Sequence, residues 1–134
     1  MYGFFYLVKM KTIFKYFTTH PQTTKTCAIL WTILIIIGCS VPGSDIPKLN
    51  LIAHFDKLVH FTFFFAFFIL WYLYFHHIKH IIILLILISA SFGFLIEWYQ
   101  LHFVAGRSFD VWDGIADTIG AIFGSLFIVL FMKK

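Results

Sequence analysis

The chain has 134 residues, of which 61% are hydrophobic and 12% charged, and its mean hydropathy is +0.93. A soluble domain carries about 25% charged residues, so this sequence cannot cover a water-facing surface and reads as an integral membrane protein. The net charge of +4 does not point to nucleic acid: six of the ten Lys and Arg lie in the first 25 residues or at the extreme C-terminus, and no basic stripe interleaved with aromatics occurs.

Residues 1–25 combine aromatics with Lys9, Lys11 and Lys15 and read as a cytoplasmic or interfacial tail, an amphipathic element on the membrane surface. Either Met1 or Met10 is the true start. Four apolar segments follow, close to the ~20 residues that span a bilayer: about 26–41, 58–75, 81–103 and 112–132. The links PGSDIPKLNLIAHFDK, HHIKH and VAGRSFD are short and force neighbouring helices to run antiparallel. The expected fold is therefore an all-α membrane protein, a compact antiparallel bundle of four transmembrane helices over residues 26–132. Within the first span, Ile36-Ile37-Gly38-Cys39 resembles a lipobox, but the long lead-in favours a retained helix over a cleaved signal. Cys27 and Cys39 lie twelve residues apart; on a helix that is ~18 Å of rise, beyond disulfide reach.

Lysine and arginine set the expected orientation. Lys9, Lys11, Lys15, Lys25, Lys79, Lys133 and Lys134 fall on one side, against Lys48, Lys57 and Arg107 on the other. The positive-inside rule puts both termini in the cytoplasm and the first and third links outside.

All six acids then fall at the outward end: Asp45, Asp56, Glu97, Asp110, Asp113 and Asp117. Three of them lie within the stretch GRSFDVWDGIAD, which leads into an apolar run. At 100° per residue, Asp56 and His60 share a face of the second span; Ser89, Gly93, Glu97 and Gln100 share one on the third; Asp110, Asp113, Asp117, Gly120 and Gly124 share one on the fourth. These faces point inward, because an aspartate in lipid costs about 2.5–3.5 kcal/mol near the bilayer centre. Gly120 and Gly124 form a G-x-x-x-G pair suited to close helix approach.

The ordered pattern is Asp56-Lys57-x-x-His60-Phe61, then Gly93-x-x-x-Glu97-x-x-Gln100, then Gly106-Arg107, then Asp110-x-x-Asp113-x-x-x-Asp117-x-x-Gly120-x-x-x-Gly124. Over about Pro42 to Gly124 it resembles the VanZ-like family of small bacterial membrane proteins. The resemblance implies a multi-pass protein of the bacterial cytoplasmic membrane. It also implies a link to the cell envelope, since the best-known member is an accessory protein of glycopeptide resistance, linked to teicoplanin. Two positions depart from the family pattern: Asp117 stands where asparagine is usual, and Phe64 where tyrosine is common.

Two readings of the polar residues stand side by side. In one, the charges only hold helix ends together: the aspartates favour the positive end of the fourth helix dipole, and Arg107 clamps Glu97 or Asp110. Lys57 is then an interfacial anchor and His60 a hydrogen-bonded bundle histidine, while His76, His77 and His80 form an interfacial loop. In the other, Asp56, Lys57, His60, Glu97, Gln100, Arg107, Asp110, Asp113 and Asp117 line an outward pocket, with Gly93, Gly120 and Gly124 packing the helices. Charge counting supports the second: five carboxylates face two cations, Lys57 and Arg107. The surplus requires protonated carboxyls or a bound cation.

The function expected first is binding of an envelope lipid or cell-wall precursor headgroup, with Lys57 and Arg107 on its phosphate. The second is a hydrolase or transferase acting on a lipid, with a Mg²⁺-like divalent cation on Glu97, Asp113 and Asp117. The third is a small proton or cation carrier, which the absence of inverted repeats and the placement of the acids at one lip disfavour.

Overall fold

A computed structural model describes residues 2–45 and 55–132. Lys48, Lys133 and Lys134, counted above for orientation, lie outside the described residues, as does Met1. The described chain is all helix: α1 (Tyr2–Thr19), α2 (Pro21–Cys39), a short 3₁₀ turn (Gly43–Asp45), α3 (Phe55–Phe75), α4 (Ile81–Phe103) and α5 (Val111–Met132). Helices α2 to α5 are each long and apolar enough to cross a membrane.

The third span falls where hydropathy places it. The first begins earlier, at Pro21 instead of about Thr26. Pro is pre-set for the first helical position, and the polar turn behind it is satisfied locally. Thr24 is fully buried, with its hydroxyl donating to the carbonyls of Phe17 at 2.6 Å and His20 at 3.1 Å. Residues 1–25 thus hold a helix of their own, α1, followed by the first turn of α2. Helix α1 packs on α2, α3 and α5, with Phe14 edge-on to Phe127 at 5.9 Å.

The closest partnership is between α3 and α5, which run parallel with α4 antiparallel to both. Lipid tails supply no hydrophobic drive for helices to associate, so small residues that allow close approach carry the contact. A methyl group on Gly120 would collide with the Phe61 carbonyl, and one on Gly124 would lie 3.0 Å from the Phe65 carbonyl. The glycine pair is therefore the surface on which α3 rests. Helix α2 is tied to α3 by two indole N–H groups: Trp31 donates to the Phe63 carbonyl at 2.9 Å and Trp71 to the Thr32 hydroxyl at 3.1 Å.

Two apolar layers fill the interior. Phe68, Tyr72, Ile81, Leu85, Ala121 and Ile128 form one; Ile35, Cys39, Phe64, Phe67 and Ile96 form the other. Large apolar side chains also cover the outside, among them Leu30, Ile37, Ile83, Leu95 and Leu130. A molecule that is apolar both inside and out uses lipid as its solvent.

Candidate functional site

Polar side chains concentrate at the end of the bundle where α2 stops and α5 starts, and the links there lock together. The Gly43 N–H donates to the Ala105 carbonyl at 3.0 Å, and Gly106 adopts a left-handed φ of 71° beside it. A side chain on Gly43 would strike the Gly106 carbonyl. The Gln100 amide donates to the Cys39 carbonyl at 2.9 Å, satisfying an orphan carbonyl at the end of α2. Ser40 and Tyr99 hydroxyls meet at 3.1 Å, a contact that nothing in the sequence pattern marked.

Asp110 is the hinge of the site. Its Oδ1 accepts the Trp112 N–H at 2.8 Å and its carbonyl accepts from Asp113 and Gly114, so it caps α5. Its own N–H donates to Glu97 Oε2 at 3.0 Å, fixing α4 to the start of α5. Its Oδ2 accepts from Lys57 Nζ at 2.8 Å. That ammonium holds the Asp110 carboxyl below its ordinary range; partial burial opposes this and the Trp112 N–H assists it.

Lys57 is more than an interfacial anchor. Its Nζ reaches Asp113 Oδ1 at 3.0 Å and Asp56 Oδ2 at 3.4 Å besides Asp110, so a single ammonium gathers three carboxylates. Charge-assisted hydrogen bonds win here over extension of the side chain into water. Arg107 does not clamp Glu97 or Asp110: Glu97 is taken by the Asp110 N–H and Asp110 by Lys57. Its side chain is half-buried and makes no ion pair with any described residue.

One turn deeper lies a second, fully enclosed group. His60 Nδ1 stands 3.0 Å from Asp117 Oδ1 and 4.0 Å from Glu97 Oε1. His60 is 3% exposed and both carboxylates 0%. Asp117 is pressed against Gly93, where a methyl group would lie 2.6 Å from its Oδ2. Ser89, Gly93, Glu97 and Gln100 all face inward on α4, and Asp113, Asp117, Gly120 and Gly124 on α5, as their spacing requires. Asp56 shares the His60 face but sits exposed at the lip.

Acceptors outnumber donors in this layer. Among the described residues, Glu97 Oε1, Gln100 Oε1, Asp117 Oδ2 and Ser89 Oγ are buried with no hydrogen-bond partner. Such atoms are costly away from water. Two groups of side chains have atoms close enough to share an ion, all within 4.8 Å of one another: His60 with Glu97 and Asp113, and Asp56 with Asp110 and Asp113. Lys57 Nζ already serves the second. In the first, His60 stands where the sequence suggested Asp117, because Asp117 is turned to the imidazole.

Four apolar helices closed around one buried polar layer define a small multi-pass membrane protein. A family model described as VanZ/LLP1 matches residues 2–132, and the chain belongs to that family. The match takes in α1 as well as the stretch that carries the motifs. No curated protein and no solved structure matches the chain.

Proposed function

We propose that this VanZ-like protein sits in the bacterial cytoplasmic membrane with both termini inside and its polar end outward, and that this end binds the headgroup of an envelope lipid or cell-wall precursor. The observation that carries the reading is, among the described residues, the excess of buried acceptors at one end together with an arginine that makes no ion pair. Acceptors call for donors, and Arg107 calls for an anion. A phosphate-bearing headgroup that also presents hydroxyls or an amine supplies both, the phosphate meeting the guanidinium in a fork. Lys57, spent on three aspartates, contributes by holding the rim in shape.

The test is native mass spectrometry of the full chain from mild detergent, beside Arg107→Ala. A retained lipid-sized adduct that the variant loses supports the reading; an adduct-free wild type overturns it. A second reading, a hydrolase or transferase acting on such a headgroup, draws on the His60–Asp117 pair with Glu97 4.0 Å away, an arrangement able to move a proton. Release of free headgroup from a bound lipid would move the assignment to that class.

A further inference from the structure

We propose that His60, Glu97 and Asp113 form a binding site for a divalent transition-metal ion, one layer beneath the headgroup-facing lip. The inference takes from the preceding reading only that the polar end is a binding site; it does not need a headgroup to be present.

Four observations converge. A ring nitrogen of His60 and one carboxylate oxygen each from Glu97 and Asp113 lie within 4.8 Å of one another, from three different helices, and all three residues are buried. Glu97 is wholly enclosed, yet its Oε1 has no hydrogen-bond partner and points toward His60, whose Nδ1 is 4.0 Å away. Lys57 engages only one oxygen of Asp113, Oδ1. Finally, His60 Nδ1 is held by Asp117 at 3.0 Å. Asp117 thus fixes the orientation of the ring that faces Glu97, as a carboxylate beside a metal-binding imidazole does.

Charge and size favour an ion over a larger ligand. Glu97, Asp113 and Asp117 bring three negative charges to this layer, which a doubly charged ion and the Lys57 ammonium on Asp113 balance. The donor atoms of His60, Glu97 and Asp113 all lie within 4.8 Å of one another, a spacing that a single ion fills. The donor set also selects among ions. Mg²⁺ prefers an all-oxygen octahedron with several waters, while a mixed imidazole and carboxylate set suits Mn²⁺ or Zn²⁺. The Mg²⁺-like ion expected from the carboxylates alone is therefore replaced by a softer one once His60 joins them.

The experiment titrates chelator-treated full-length protein in detergent with Mn²⁺ and reads bound ion by electron paramagnetic resonance, including the modulation from a coordinated imidazole nitrogen. Wild type is expected to hold one Mn²⁺ per chain with nitrogen modulation. Glu97→Gln should weaken binding at least about tenfold, and Asp117→Asn, which removes only the orienting carboxylate charge, about 10- to 100-fold. His60→Gln should lose the nitrogen modulation, while His76→Gln, at the far end of the bundle, should keep it. Since Asp117→Asn is nearly isosteric and supplies the family's usual residue, it keeps the test sharp if His60→Gln fails to fold. No bound ion in wild type, or unchanged affinity in both Glu97→Gln and Asp117→Asn, would overturn the site. Arg107→Ala separates the two readings: it should lose the lipid adduct and keep the ion. An adduct without an ion would leave headgroup binding standing alone.

Discussion

Histidine occurs at both ends of this bundle, and the two ends treat it oppositely. His60 is enclosed by α3, α4 and α5 with a carboxylate on its ring. His76, His77 and His80 lie exposed in the turn between α3 and α4, where the His76 ring bonds only the Leu73 carbonyl and His80 takes a left-handed φ of 61°. A turn can use any polar residue that tolerates that backbone. A buried imidazole among carboxylates, by contrast, is held by partners from other helices and cannot be changed without stranding them. The same side chain is thus an exposed turn residue at one end and a buried partner of carboxylates at the other.

The contrast can be broken most severely through the packing that creates the enclosed end. Gly120→Val would drive a side chain into the Phe61 carbonyl on α3. Overpacking typically costs about 1–3 kcal/mol, and here the obstacle is backbone, which cannot rotate away. We expect the largest loss of thermal stability from this variant, measured by melting in detergent, with His77→Ala at the far turn within about 0.5 kcal/mol of wild type. A wild-type melt for Gly120→Val would mean that α3 and α5 are not in contact through this glycine.

The buried pair comes next. His60→Ala leaves Asp117 enclosed without its partner, and breaking a buried pair from one side costs about 3–5 kcal/mol. The double variant His60→Ala/Asp117→Asn should recover part of that loss, because the uncompensated carboxylate goes with it. Additive losses in the cycle would show that the two side chains do not interact.

How far the sequence discloses this arrangement depends on what each feature requires. Helix α4, 81–103, follows from a long, largely apolar run between two polar links, and the inward face of α5 from the spacing of Asp113, Asp117, Gly120 and Gly124. The start of α2 was hidden because Gln22 to Lys25 look like a polar tail, although Thr24 turns its hydroxyl onto backbone carbonyls. Spacing on one helix also could not give the partners of Lys57. Those depend on the rotation and depth of α3 against α5, which the Gly120–Phe61 approach sets. Likewise, the bond from the Asp110 N–H to Glu97 Oε2 belongs to a cap geometry that a helical wheel does not contain. Residue identities were legible; their pairing needed the third dimension.

The smallest expected effect concerns the rim, and its sign follows from Asp110. The Lys57 ammonium holds this carboxyl below its ordinary value near 3.8. A depressed folded-state value means that the unfolded chain takes up the proton first as pH falls. The stability from the pair is therefore complete above the ordinary value and is lost as pH drops through the lower, folded one. Lys57→Met should melt below wild type at neutral pH, and the gap should close on acidification below pH 3.8. Because more than a third of the Asp110 side chain is in contact with solvent, the gap should be modest and shrink with added salt. Melting curves of both proteins across that range, at low and high salt, provide the check. A gap that persists unchanged at low pH would show that the pair with Asp110 is not its source, and would move the contribution of Lys57 to its contact with the buried Asp113.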